Sequence, residues 1–298
     1  MSPLTMGKLQ FKTPLFLASG TWGLGDTLLN YLTPEEVKAS IGALITKGLS
    51  LEPMPGNPPP RLFETPCGLI NSIGLENPGL EVFLERYYPA LKALEVPIIF
   101  NLHAKKPEEF LEMSEKLSEI GAEGLELNIS CPNVKEGGIA FSSYPEGVYE
   151  LVKGVRGLFD GFLVVKLSPL GPVFEVAEAS EAAGADALTV ANTYPALGVL
   201  SYEPFQIIRG GLSGPAIKPL TLRLLFELSQ RVNIPLIASG GIMSGGDAFD
   251  YLLCGAKAFQ IGTANLIDPK APVKILYELN KLMDRYGRLL DKSSAQEF

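Results

Sequence analysis

Apolar residues recur along the chain in short, nearly continuous runs, most of them followed by a longer stretch with helical spacing. The runs are LFLAS (15–19), ALITKG (43–48), VPIIFNL (96–102), GLELNIS (124–130), GFLVVKLS (161–168), ALTVANT (187–193), IPLIASGGI (234–242) and AFQIGTA (258–264). Strands that are apolar on both faces belong to parallel sheets covered by helices. Between them, KPEEFLEMSEKLSEIG (106–121) has Pro near its start, Glu in its first turn and Gly121 at its end, which are helix start and stop signals. Residues 144–160, 173–184, 218–233 and 244–256 read the same way. Repeated strand–helix alternation predicts an α/β fold, a closed (β/α)8 TIM barrel, with an open doubly wound sheet as the other architecture. Barrels of this length are routinely one domain, so residues 1–298 are expected to form a single domain.

Two stretches rich in Pro and Gly, 52–79 and 194–217, interrupt the alternation. Both follow strands, which in a barrel puts them at the C-terminal face, where active sites are built. Polar residues cluster at the strand ends: Ser19, Lys47, Asn101, Asn128, Cys131, Lys166 and Asn192. A lysine at the end of an apolar run either snorkels to solvent or needs an anionic or electron-rich partner, because burying it unpaired is costly. The turns at Gly240–Gly241 and Gly262–Thr263 follow the last two strands, where backbone N–H groups form an anion nest suited to a phosphorylated ligand. In NISCPNVKEGG (128–138), Cys131 sits just past a strand, where a loop leans over a bound ligand. The chain's one histidine, His103, is not near it in sequence, which leaves a Cys–His hydrolase as a thinly supported reading and a turn cysteine as the bland one. Cys254 reads as packing, and Cys67, in a turn, has no assigned role.

Composition narrows the classes. The 298 residues are 46% hydrophobic and 19% charged, which is globular rather than disordered. A formal charge of −8 argues against a nucleic-acid-binding face and against an anionic membrane surface. No apolar run reaches the length of a membrane span, and the N-terminal residues lack a secretory layout. Three scattered cysteines make no disulfide framework, and no metal site is expected, so the chain reads as cytoplasmic and reduced.

Taken together, NISCPNVKEGGIAF, TPCGLINSIGLENPGLE, GGLSGPAIKPLTLR, ASGGI and QIGTA resemble class 1 dihydroorotate dehydrogenases, most closely the B-type catalytic subunits. The membrane-bound class has serine as its base where this chain has Cys131. The resemblance implies an FMN enzyme that oxidises (S)-dihydroorotate to orotate in de novo pyrimidine biosynthesis. It assigns FMN contacts to Ser19, Lys47, Gly48, Asn101, Asn128 and Lys166, with Ala191 and Gly214 bordering the cofactor and Gly240, Gly241, Gly262 and Thr263 holding its phosphate. It assigns the substrate to Lys47, Asn71, Ser72, Ile73, Gly74, Leu75, Asn128, Asn133, Asn192 and Thr193. Side-chain amides both donate and accept, which suits a flat ring of N–H and C=O groups. Cys131 would take the C5 proton as general base, the C6 hydride would pass to flavin N5, and Lys47 would stabilise negative charge at the flavin.

The implied partners are a second copy, as a homodimer, and a subunit carrying FAD and an iron–sulfur cluster, giving a heterotetramer that passes electrons to NAD. Within this chain no G-x-G-x-x-G follows a strand, since Gly23–Leu24–Gly25 has Leu28 in the third glycine position. Its three cysteines cannot supply the four ligands of a cluster. The alternatives are a fumarate-using A-type enzyme, a reductase like dihydropyrimidine dehydrogenase, and a flavin-free phosphate-binding barrel of the lyase or isomerase kind.

Overall fold

A computed structural model describes residues 3–130 and 143–290. Eight parallel strands set its frame: β1 Leu15–Leu17, β2 Ala43–Ile45, β3 Ile98–Leu102, β4 Gly124–Asn128, β5 Phe162–Lys166, β6 Ala187–Val190, β7 Leu236–Ala238 and β8 Ala256–Ile261. They close in chain order, with β8 pairing back onto β1 so that Phe259 lies opposite Leu15. This is the α/β barrel that the alternation predicts. The expected helices form at Pro107–Glu119, Pro145–Leu158, Val173–Ala182, Lys218–Ser229 and Gly245–Leu253. Four of the five carry Pro or a Ser cap at the start, the last with the Ser244 hydroxyl accepting from the Asp247 N–H at 3.2 Å.

Side chains alternate across the barrel wall. Leu44, Phe100, Leu125, Leu127, Leu163, Val165 and Phe259 point outward into the core shared with the helices. Their neighbours Ile45, Ile99, Val164, Ala187, Ile237 and Ala258 point inward and form a separate apolar cluster. Two positions further along each strand, the inward residue turns polar: Asn101 after Ile99, Lys166 after Val164, Thr189 after Ala187, Gln260 after Ala258. The barrel is therefore oily at its N-terminal end and polar towards its C-terminal mouth.

Two features lie outside the strand–helix alternation. A hairpin of Leu4–Met6 and Leu9–Phe11 turns at Gly7, whose φ of +53° favours glycine. It stoppers the oily end, with Met6 and Phe11 joining the interior cluster. The Phe11 ring packs 4.8 Å from Phe16 and 5.5 Å from Phe162, centroid to centroid. At the opposite end, the two Pro- and Gly-rich insertions pair with each other. They build a four-stranded antiparallel sheet in the order Tyr194–Tyr202, Phe205–Ser213, Gly68–Asn71, Leu62–Thr65. Leu212 lies opposite Ile70 across the central seam.

Candidate active site

Between the polar mouth of the barrel and this sheet lies a cavity of about 1120 Å³. The strand ends supply its floor. Lys47 and Gly48 follow β2, Asn101 lies on β3, Asn128 ends β4, Lys166 ends β5, and Ala191 and Asn192 follow β6. Ser19, Gly240, Gly241, Gly262 and Thr263 line it from the loops after β1, β7 and β8. The sheet and its flanks supply the outer wall: Asn71, Ser72, Ile73, Gly74, Leu75, Thr193 and Gly214. Every described residue singled out in the sequence for a cofactor or substrate thus borders this one space. Cys131 and Asn133 lie outside the described residues.

The outer wall is tied down locally. The Asn71 Nδ2 donates to the Gly211 carbonyl at 3.1 Å, joining the sheet strands that come from the two insertions. Asn192 donates to Ser130 Oγ, and its own Oδ1 accepts the Thr193 N–H at 2.8 Å. Ser130 Oγ–H in turn donates to Asn128 Oδ1 at 2.6 Å, which leaves the Asn128 Nδ2 as the donor available to the cavity.

Two lysines reach the cavity from different strands. Lys47 has no ion pair among the described residues. Burial pulls its pKa below the ordinary lysine value, with the Glu76 charge opposing that drop and Arg61 adding to it. Lys166, 7% exposed, lies with its Nζ 4.0 Å from Glu126 Oε1. Glu126 is wholly buried inside the barrel and accepts from Asn101 Nδ2 at 2.6 Å, Thr189 Oγ1 at 2.6 Å and Gln260 Nε2 at 2.5 Å. Glu126, Thr189 and Gln260 were not singled out in the sequence. The signal that could have found them is the period of two: each shares the inward face with an apolar residue two positions earlier or a polar one two positions later.

At the mouth, Gly240 and Gly241 form a cradle that no side chain could share. A Cβ on Gly240 would stand 2.8 Å from Thr221 Oγ1, and one on Gly241 would stand 2.7 Å from Lys218 Cβ. The Tyr251 hydroxyl donates to the Gly240 carbonyl at 2.7 Å and holds the turn. The remaining candidates stand apart. His103 follows β3, is buried, and its pKa is lowered to about 4 by burial. Cys67 is exposed in the turn between two sheet strands, and burial pushes the Cys254 thiol up. Among the described residues no cluster of His, Cys, Asp and Glu could hold a metal ion, and no helix is long and apolar enough to cross a membrane.

A family model for dihydroorotate dehydrogenase matches residues 3–283. Curated relatives named dihydroorotate dehydrogenase B (NAD(+)), catalytic subunit, include one from Thermoanaerobacter pseudethanolicus, 41% identical over 282 residues, spanning 93% of this chain and 92% of its own. Another, from Geotalea uraniireducens, is 44% identical over 284 residues, with 94% and 92% covered. A third, from Bacteroides thetaiotaomicron, is 40% identical over 289 residues, with 95% and 94% covered. In fold, the chain is similar to a crystal structure of DHODH in complex with ferulenol from Eimeria tenella, with a TM-score of 0.78 at 22% identity over 97% of this chain and 86% of that one. With the match running through nearly the whole barrel and these identities holding over more than nine-tenths of its length, the chain belongs to the dihydroorotate dehydrogenase family of oxidoreductases.

Proposed function

We propose that this chain is the catalytic subunit of a B-type dihydroorotate dehydrogenase: a single-domain barrel that uses FMN to oxidise (S)-dihydroorotate to orotate in pyrimidine biosynthesis. The observation that carries this reading is that the described residues the resemblance assigns to cofactor and substrate all line one cavity. The names of the curated relatives support the B type and a partner subunit.

The residues present fit a flavin mononucleotide. Gly240 and Gly241 border the cavity as bare backbone, since a Cβ on either would collide with Thr221 or Lys218, and a bare glycine turn after a barrel strand suits a phosphate. Asn101 and Gln260 border the cavity and keep Oδ1 and Oε1 buried without a hydrogen-bond partner, a polar floor of the kind that suits a polar ring edge. Lys47 and Lys166 add positive charge for an electron-rich ring. FMN, when bound, supplies a two-electron acceptor for a hydride.

In this reading the chain's own groups have separate tasks. Cys131 takes the C5 proton of dihydroorotate at its Sγ. Asn71, Asn128, Asn192 and the 72–75 backbone orient the flat ring through amide donors and acceptors. Lys47, held short of full solvation, stabilises negative charge that develops at the reacting centre. The sheet over the mouth limits water.

The purified chain should be yellow and release FMN, not FAD, on denaturation. With dihydroorotate and an artificial dye it should turn over, and Cys131→Ala should keep its flavin while flavin reduction slows by about 10²–10⁴-fold. A folded, colourless protein that cannot be reconstituted with FMN would overturn this reading in favour of a flavin-free barrel.

A further inference from the structure

Glu126 does not line the cavity, yet it sits beneath three residues that do: Asn101, Lys166 and Gln260. It is a wholly buried carboxylate where the oily half of the barrel gives way to the polar one, and burying a carboxylate is costly unless its partners satisfy it. A carboxylate has no proton to give, so each group that touches it must donate. That requirement fixes the orientation of two amides. Asn101 must turn Nδ2 towards Glu126 Oε1, at 2.6 Å, and so turn Oδ1 away. Gln260 must turn Nε2 towards Glu126 Oε2, at 2.5 Å, with Thr189 Oγ1 also within 3.1 Å, and so turn Oε1 away. Both oxygens turned away are buried and without a hydrogen-bond partner. Unsatisfied buried acceptors are uncommon in a fold, and both of these belong to residues that border the cavity.

Lys166 completes the pattern. Its Nζ lies 4.0 Å from the Glu126 carboxylate while its side chain also borders the cavity. One buried anion therefore sets two acceptors and balances one cation at the bottom of the site. The pyrimidine edge of a flavin carries both an N–H and carbonyl oxygens, and its charge changes on reduction, so it is complementary in kind to such a floor.

We propose that Glu126 is a positioning residue for the flavin: it dictates the amide orientations of Asn101 and Gln260 and sets the charge balance at Lys166, and through them it controls both affinity and reduction potential. The inference rests on the flavin reading above. Glu126→Gln keeps the shape but puts an N–H donor in place of one carboxylate oxygen, which frees the amide facing that donor, Asn101 or Gln260, to flip and leaves Lys166 without an anion. Glu126→Asp keeps the charge but withdraws it by one methylene from Asn101.

The test measures FMN binding by fluorescence titration and the bound-flavin potential by equilibration with reference dyes, for the wild type and both variants. Glu126→Gln should bind FMN at least tenfold more weakly. Its potential should rise by about 30 mV or more, a tenfold change in a two-electron equilibrium, because the unbalanced Lys166 favours the more negatively charged reduced form. Glu126→Asp should lose affinity by a similar factor while keeping the wild-type potential. A Glu126→Gln protein with wild-type affinity and potential overturns the inference. If Glu126→Gln does not fold, wild-type affinity in Glu126→Asp overturns it instead. A folded wild type that takes up no FMN removes the flavin reading itself, a result separate from either variant outcome.

Discussion

His103 shows what burial does to a single side chain when no partner compensates. It is 6% exposed, its Nδ1 has no hydrogen-bond partner, and its pKa falls from 6.5 to about 4 because burial disfavours the imidazolium, with Glu109 opposing and Lys105 adding to the drop. The folded chain therefore binds this proton less readily than the unfolded chain, so its contribution to stability is complete above about pH 6.5 and is lost as pH falls towards 4. At pH 4 the loss amounts to about 3 kcal/mol. His103→Phe should flatten that part of the acid limb of a stability-against-pH curve, measured by urea unfolding; equal acid slopes in the two proteins would exclude this role. At the cavity mouth, Gly241→Ala places a Cβ 2.8 Å from the Lys218 backbone nitrogen at a φ of +67°. It should weaken FMN binding at least tenfold while dihydroorotate still reduces whatever flavin is retained. The residues legible in the sequence were those whose polarity broke an apolar run at its end, such as Lys47, Asn128 and Lys166. Glu126 and Gln260 were hidden because a polar residue inside a strand looks like noise until the inward face is separated from the outward one.

Among the elements, the barrel strands and five of its helices were readable because the two hydrophobic periods alternate cleanly and caps mark the helix ends. The N-terminal hairpin was not: six strand residues of mixed polarity carry little period-two signal. Its contribution lies in what it covers. Phe11 is wholly buried against Phe16 and Phe162, so Phe11→Ala should cost about 3–5 kcal/mol in chemical unfolding and leave the cavity's flavin affinity unchanged. The four-stranded sheet escaped the sequence for a different reason. Its strands are mostly half-exposed and form two local hairpins, and the seam that joins the hairpins pairs residues about 140 positions apart, a contact that no local pattern encodes. Close backbone approach makes one position there diagnostic. A Cβ on Gly210 would stand 2.0 Å from the Asn71 carbonyl oxygen. Gly210→Ala should therefore spread the seam beside Asn71 and raise the KM for dihydroorotate several-fold, with FMN retained in full; an unchanged KM would detach Asn71 from the substrate.

At the scale of the whole molecule, the proposed reading requires electrons taken from dihydroorotate to leave the barrel. The sequence carries no G-x-G-x-x-G after a strand, and its three cysteines are one fewer than the four ligands of a cluster, which supports an exit through a partner subunit. The isolated chain should reduce dyes but not NAD⁺ with dihydroorotate, and should gain NAD⁺ reduction when mixed with a subunit carrying FAD and an iron–sulfur cluster. Efficient fumarate reduction by the chain alone would assign it to the A type.

The barrel strands and the sheet over them are separate pieces of chain meeting at one space, and this has a consequence for how such an enzyme can change. On the proposed reading, the groups that hold the redox cofactor belong mainly to the barrel, while many of those that recognise the substrate ring hang from two insertions. Mutation in the insertions can therefore explore new substrates without disturbing the electron chemistry, as long as the seam between them stays closed. Such a molecule can be respecified from its roof while the floor is left alone.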